Sequence, residues 1–583
     1  MPGRPALARG GSEASQSVGM APTEPDRPVT VHGGRLVADR LRAGGVEVVF
    51  TLPGGHIVEL LHGCEEAGLR VVDVRHEGSA TLAALGYALA TGHPGVAAVT
   101  AGPGFTNALT GLADAALGNA PMVLIGGRTV LRRRGRGAVQ DLDQMAMAAP
   151  ISKWAAAAQD AGSVERLTDE ALHRARSGRP GAVYLEVPHD VFMARTPPSS
   201  GVWGFPSGAP HPAASPAELE RALEALRRAE RPVALAGSGA FWSGAGEEIA
   251  RLCEGLQVPL VTTSAARGLV PDSHEWCLGS FVHAGIAVAQ ADCVLVLGSA
   301  FNANLVYGGP PLFSEEHVLI QVDIAAEELG GNRRPDVAVQ GDVGRVAADL
   351  ADARSGGRDR RDWLLQAREL TALSRPTWDA QVDEHAGPLV HPGALAREVC
   401  AWARDTWSGA ATLVTDGGDS LTWALAYAEA ERPGHLLSTT TALGTLGVGL
   451  PFALGAAAAR PSEPVVLLTG DGAFGLSAME MDSAARQGFP IIVVVANNGG
   501  WGDVRHHQRA AVGRETASHL AVSRYDLLAE ALGGHGERVD TVAELRPALD
   551  RAAAAGVPAL VDVPTDPEVL SALLRAMMSI GIM

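Results

Sequence analysis

Short, unbroken apolar runs recur along this chain, each bounded by glycine or a polar cluster and followed by an alanine-rich stretch of helical length. In the first third, Val48 to Leu52, Arg70 to Val74, Val96 to Thr100 and Met122 to Gly126 read as strands, with helices over Val58 to Glu66 and Ala80 to Thr91. The middle third repeats the pattern at Pro232 to Ala236, Leu260 to Thr262, Cys293 to Leu297 and Val318 to Val322. The last third does so at Thr412 to Thr415, Val465 to Thr469, Ile491 to Ala496 and Ala559 to Val563. Strands that are apolar on both faces and separated by helices belong in parallel sheets covered on each side. The predicted fold is therefore α/β: three doubly wound parallel-sheet domains in series. Ligands of such sheets bind outside the carboxyl ends of the strands, so the polar residues that follow each strand are the candidates for chemistry.

Two segments interrupt the pattern. Thr196 to Pro216 is crowded with Pro, Gly and Ser, and Asp352 to Asp362 is charged and contains glycine. Neither supplies core, and both read as linkers. The expected plan is a disordered leader over 1–29, a first domain over 30–195, a linker over 196–216, a central domain over 217–351, a second linker over 352–385, a third domain over 386–567 and a tail over 568–583. A length of 583 residues accommodates three domains at roughly 150 residues each.

Composition narrows the class. A net charge of −18 argues against a nucleic-acid or anionic-membrane partner, though a cation-lined pocket can still hold an anionic cofactor. The five cysteines, Cys64, Cys253, Cys277, Cys293 and Cys400, are widely spaced and form no CxxC pair, which disfavours disulfides and zinc. The leader has no continuous apolar stretch, and no run of about 18 apolar residues occurs anywhere. A cytoplasmic protein is expected.

The densest chemistry lies in the last third: Val465-Val-Leu-Leu-Thr-Gly470-Asp471-Gly472, then 24 residues, then Asn497-Asn498 after a second apolar strand. Gly470 and Gly472 allow close approach to a phosphate. Asp471 and Asn498 offer hard oxygens at neighbouring strand ends, and the Gly500 carbonyl offers a third, which is the donor set Mg²⁺ prefers beside phosphate oxygens. A helix starting near Ser477 would aim its N-terminus at the same diphosphate. Either fragment alone reads equally as a turn; at this spacing the two together resemble the thiamine-diphosphate fingerprint.

Thiamine chemistry also requires a carboxyl group on the aminopyrimidine ring. Glu77, at a strand end in Val74-Arg-His-Glu77-Gly, is the candidate, and its bland alternative is a helix-start carboxylate favoured by the macrodipole. Thr100-Ala-Gly102-Pro-Gly104 follows another strand as a close-approach loop, and Gly444 in Thr440-Thr-Ala-Leu-Gly444-Thr-Leu446-Gly447 is placed to present a carbonyl to the coenzyme's amino group. With Glu77 and Asp471 on different domains, a site shared between two subunits is natural, and a homodimer or homotetramer is expected.

From about Val31 to Pro567 the chain resembles the acetolactate-synthase-like superfamily of thiamine-diphosphate enzymes, which have a pyrimidine-binding, a central nucleotide-binding-like and a diphosphate-binding domain. The resemblance implies Leu446 as the residue that keeps the coenzyme bent, and Gly470-Asp-Gly472-Ala473 as its diphosphate loop. Leu52-Pro-Gly-Gly-His56 and the stretch from Gln140 through Gln144 to Trp154 look like the benzaldehyde lyases, and Asp416-Gly-Gly-Asp419 like the 2-hydroxyacyl-CoA lyases. That branch implies a carbon–carbon lyase or carboligase acting on small carbonyl, acyloin or acyl-CoA substrates, with His56 and Gln140 hydrogen-bonding the substrate hydroxyl. Three departures qualify the match. Val504 stands where some acyl-CoA lyases carry glutamate. His507 stands where acetolactate synthases carry tryptophan. Ala300 stands where FAD- or ADP-binding relatives carry arginine, which leaves a nucleotide in the central domain open. The rival readings are acetolactate synthase and a catalytically silent coenzyme-binding subunit. The basic stretch Arg128 to Arg136 reads either as a steering patch for an anionic substrate or as a solvated loop.

Overall fold

A computed structural model describes residues 30–199, 201, 205–206, 211–353, 358–438 and 443–579. The leader over 1–29 and the Thr440 to Ala442 part of the glycine loop lie outside the described residues.

Each domain is built on a six-stranded parallel sheet. In the first, the spatial order is Arg70–Asp73, Val48–Leu52, Gly95–Val99, Met122–Arg128, Ala182–Pro188, Trp154–Ala157. The third has the same topology: Leu436–Ser438, Thr412–Thr415, Val465–Gly470, Ile492–Asn497, Ala559–Pro564, His535–Arg538. In the central sheet the order is Cys277–Ser280, Leu260–Thr262, Pro232–Ala236, Cys293–Leu297, Val318–Asp323, Val337–Gln340. The predicted strands coincide with these because residues such as Val96, Val123, Val294 and Val494 are buried on whichever face they point to. Strand order reverses between Val48–Leu52 and Gly95–Val99 in the first sheet, and between Thr412–Thr415 and Val465–Gly470 in the third. Crevices open at such switch points.

The first and third domains pack on one another through two small-residue helices, Glu77–Thr91 and Gly449–Ala459. A Cβ placed on Gly86 would fall 2.6 Å from the Phe452 α-carbon, and one on Gly455 would fall 2.3 Å from the Ala83 carbonyl oxygen. The helices therefore touch backbone to backbone, and one apolar core runs from Phe50 and Leu124 through Phe452 to Leu467 and Val493. The central domain has its own core.

Two expectations change. The segment 352–385 is not bare linker: it holds helices Arg361–Ala372 and Ser374–Asp383. Trp363, Leu364 and Ala367 bury one face against the central core, while Trp378 and Val382 join the third-domain core. The surrounding charges hid this apolar spacing. The tail likewise contains a helix, Ala572–Ser579, anchored where Ser571 and Thr422 hydroxyls hydrogen-bond at 2.8 Å. Among the described residues no helix is long and apolar enough to cross a membrane.

Candidate active site

The candidate residues assemble at the two switch points. In the third domain, the strand ending at Gly470 passes directly into a helix, Asp471–Ser477; the helix starts at Asp471 rather than near Ser477, which ends it. Asp471 is 2% exposed. Its Oδ2 and the Asn498 Oδ1 both accept from the Gly500 N–H, each at 3.1 Å. Asp471, Asn498 and Gly500 are thus brought together, although the observed Gly500 contact is made by its N–H. Burial, only partly offset by N–H groups of Gly472 and Gly500, pushes the Asp471 carboxyl up to about 6. An enclosed carboxylate short of positive charge is what a cation would relieve.

Asn497, the other half of the asparagine pair, faces inward. Its Nδ2 donates to the Ser523 carbonyl and to Asp562, both at 2.9 Å, and ties the strand ends together. Across the crevice, Asp416 Oδ2 accepts from Gly449 N–H at 2.7 Å and Oδ1 from Gly417 N–H at 2.6 Å. Sequence reasoning saw Asp416 only as part of a motif; here it fixes the start of the seam helix beside the site. Gly444 adopts φ 67° with open space on its α-carbon, Leu446 is half-buried, and Gly447 lies over Ala473 and Leu476. The indole of Trp501 covers Gly472, where a Cβ would fall 2.7 Å from the ring.

In the first domain the organising element is the loop Thr100–Gly104. Glu77 opens its helix, is 7% exposed, and accepts from Asn107 Nδ2 at 2.9 Å through Oε2. A Cβ on Gly104 would fall 3.3 Å from the Glu77 Oε1. His56 Nδ1 lies 3.1 Å from Thr100 Oγ1, and its ring stands edge-on to His189 with centroids 5.9 Å apart. Burial, then the neighbouring His189, lowers the His56 pKa, so the imidazole is neutral near pH 7. Gln140 sits over Gly102. Glu77, Gly104, His56 and Gln140 are thereby gathered around one loop.

Gln144 is a second glutamine at this loop, a supporting one that sequence reasoning quoted without a role. It is fully buried: Oε1 accepts from Gly102 N–H at 3.0 Å, and Nε2 donates to Gly127 carbonyl at 3.1 Å and Tyr184 hydroxyl at 2.7 Å. Its place four residues after Gln140, at the start of a helical turn, was the available clue. The inward arginines of this region, Arg128 and Arg134, are committed to the buried Glu186 at 2.9 and 2.8 Å. Among the described residues, no hydrogen bond or ion pair joins the Glu77 group to the Asp471 group within the chain.

These two half-sites suit one ligand that carries a phosphate-and-metal end and a hydrogen-bonding ring end. Comparison with known families decides its identity. Residues 31–147, 219–350 and 416–563 match the N-terminal binding, central and C-terminal binding domains of the thiamine pyrophosphate enzymes. The chain belongs to the thiamine-diphosphate-dependent enzymes. Within that family it is acetolactate-synthase-like and near the 2-hydroxyacyl-CoA lyases. It is 38% identical over 547 residues to a probable acetolactate synthase of Mycobacterium bovis, covering 93% of this chain and 97% of that one. It is 34% identical over 553 residues to human 2-hydroxyacyl-CoA lyase 2, covering 88% and 85%. A 2-hydroxyacyl-CoA lyase of Oryza sativa is 31% identical over 559 residues, covering 92% and 96%.

Glu77 falls within the matched N-terminal binding domain and Asp471 within the matched C-terminal one. The residues fit the coenzyme: hard oxygens at Asp471 and Asn498, an enclosed carboxyl at Glu77, and an open backbone at Gly444. In the central domain, the crevice between Gly239 and Gly298 is lined by Ala300 and Asp323, and Arg179 from the first domain enters it to pair with Glu328.

Proposed function

We propose that this thiamine-diphosphate enzyme is a carbon–carbon lyase and carboligase acting on 2-hydroxyacyl-CoA or 2-hydroxyketone donors and aldehyde acceptors. One observation carries the reading. The first-domain half-site presents neutral hydrogen-bonding groups, His56 on Thr100 and Gln140 on Gly102, while the inward arginines are occupied by Glu186. Such a surface suits a hydroxyl beside a carbonyl better than a carboxylate, which favours cationic partners.

Bound thiamine diphosphate supplies a carbon nucleophile and an electron sink for the bond being broken. Asp471, Asn498 and Gly500 would hold Mg²⁺ on its diphosphate, with the Gly470–Ala473 turn beneath. Glu77, steadied by the Asn107 amide, would hydrogen-bond the ring nitrogen of the coenzyme. Leu446 and Gly444 position the rings. His56 and Gln140 orient the donor hydroxyl, and neutral His56 takes up its proton.

Because the Glu77 and Asp471 groups lie on different domains, the functional unit is a homodimer at least. Leu443, Leu476, Met479 and Val504, 41–61% exposed around the third-domain half-site, are the apolar surface a partner subunit would cover. The second reading is acetolactate synthase, since relatives bearing that name and relatives named 2-hydroxyacyl-CoA lyase match at similar identity, 38% and 34%.

Mass spectrometry of products tests the choice. The protein, with thiamine diphosphate and Mg²⁺, is offered separately pyruvate, a benzoin-type acyloin and a 2-hydroxyacyl-CoA. Aldehyde release from either of the last two supports the lyase and identifies the donor class. Acetolactate from pyruvate alone overturns it in favour of the synthase.

A further inference from the structure

His56 stands between two neighbouring strand ends. The strands Met122–Arg128 and Ala182–Pro188 run side by side, with Gly127 opposite Val187 and Arg128 opposite Pro188. A Cβ on Gly127 would fall 2.7 Å from the His56 Cβ, so the turn Gly55–Ile57 rests on the end of the first strand. His189 follows the second strand directly and opens the helix His189–Met193. Its ring meets that of His56 edge-on. Its Nε2 lies 3.3 Å from Glu59 Oε2, an ion pair whenever the imidazole carries a proton. Glu59 itself sits in the first turn of the helix Val58–Glu66, three residues after His56. A line of four side chains therefore runs from the Thr100 hydroxyl through His56 and His189 to the Glu59 carboxylate.

The other charges on the elements packed against His56 are engaged or turned away. Arg128 pairs with Glu186 at 2.9 Å and Asp141 at 3.5 Å. Asp190 accepts from the Leu131 N–H at 3.2 Å. Further along the Glu59 helix, His62 and Glu66 pair at 3.2 Å and Glu65 is exposed. The loop Thr100–Gly104 brings no charged residue. His189 is thus the neighbour whose charge His56 feels, and burial followed by His189 is what lowers the His56 pKa. When His189 carries a proton, a second proton on His56 sets two like charges ring to ring in a half-buried place, which disfavours it.

We propose that His189, anchored by Glu59, is a positioning residue for His56: it sets the plane of that ring on Thr100 and keeps it in the uncharged form that accepts the donor hydroxyl's proton. The proposal rests on the lyase reading for which proton is taken; the coupling of the three side chains does not depend on it.

The test follows the His56 ring in the coenzyme-loaded protein by NMR. Histidine labelled at the ring carbon is titrated between about pH 5 and pH 8, and the His56 signal is identified by its loss in His56→Asn. His189→Phe keeps an edge-on ring and removes the charge, so the His56 midpoint is expected to rise by about half a unit or more, roughly threefold in proton affinity. His189→Gln serves as a second variant and should act in the same direction. Glu59→Gln releases the His189 ring from its anchor and should place the midpoint between wild type and His189→Phe. A midpoint unchanged in both His189 variants overturns the proposal, because a residue that merely packs would leave it unmoved. The acid limb of kcat/KM on the cleaved donor should move with the midpoint. A moved midpoint with no cleavage of acyloin or 2-hydroxyacyl-CoA would sink the lyase reading and leave the coupling standing; cleavage with an unmoved midpoint would do the reverse.

Discussion

Gln140 is pressed against Gly102: a Cβ on Gly102 would lie 2.8 Å from the Gln140 Cβ, and the two residues hold φ of 61° and 63°. A non-glycine residue in the left-handed region costs of order 1 kcal/mol or more and persists where its surroundings over-determine it. That backbone holds Gln140 against Gly102 beside the first-domain half-site, whereas Gln144 lies in the core beneath it.

Gln140→Ala should leave thermal stability within a degree or two while lowering kcat on the preferred donor by roughly 10–100-fold. Gln144→Ala, which abandons three partners in the core, should cost about 3 kcal/mol of stability. Chemical denaturation beside steady-state kinetics distinguishes them. Equal stability losses would mean that Gln140 is merely structural.

Replacing Glu77 with Gln keeps the Asn107 contact possible but removes the ionisable carboxyl. Hydrogen–deuterium exchange at the thiazolium carbon of the bound coenzyme, read by NMR after acid quench, should slow by roughly 100-fold or more. Unchanged exchange would remove Glu77 from its assigned role.

For Asp471, function and stability should move in opposite directions. Its folded pKa, raised by burial to about 6, means the folded chain binds the proton more tightly than the unfolded one. This contribution favours the fold at low pH and is lost as pH rises from about 4 through 6. At pH 8, Asp471→Asn should therefore raise the Tm of the coenzyme-free protein while weakening Mg²⁺-dependent thiamine diphosphate binding at least tenfold. A variant that binds coenzyme normally would exclude Asp471 as a metal ligand.

His391 is 4% exposed, caps the Pro392–Trp407 helix by accepting from the Gly393 N–H at 2.9 Å, and stands edge-on to Trp423. Burial, then the neighbouring His385, lowers its pKa to about 4. A depressed pKa stabilises the fold above about 6.5 and loses that contribution as pH falls toward 4. His391→Asn retains a capping acceptor, so its Tm should fall less steeply than wild type between pH 6.5 and 4. Parallel profiles would refute this.

The sheets were legible because their strands are apolar on both faces, so that a run such as Cys293 to Leu297 declares itself without its neighbours. Asp471 and Asn498 stood out for a related reason: they are polar residues that follow such runs at neighbouring strand ends. What the chain did not disclose depends on contacts between distant segments. Nothing local marks Gln144 as the support of Gly102, because its partners Gly127 and Tyr184 lie 17 and 40 residues away. The helices over 361–383 were obscured because arginine and aspartate are scattered along them while Trp363 and Trp378 do the packing.

The backbone contact between the helices that begin at Glu77 and Gly449 bears on how the molecule comes apart. Since one continuous core serves the first and third domains, neither can lose its packing without exposing the other's, whereas the central domain buries its own. Heating should therefore produce two calorimetric transitions from three domains, with the larger enthalpy belonging to the coupled pair. The coenzyme should raise only that transition, since both of its half-sites lie within it. Melting thus treats the two outer segments, separated in the chain by residues 196–385, as a single cooperative body.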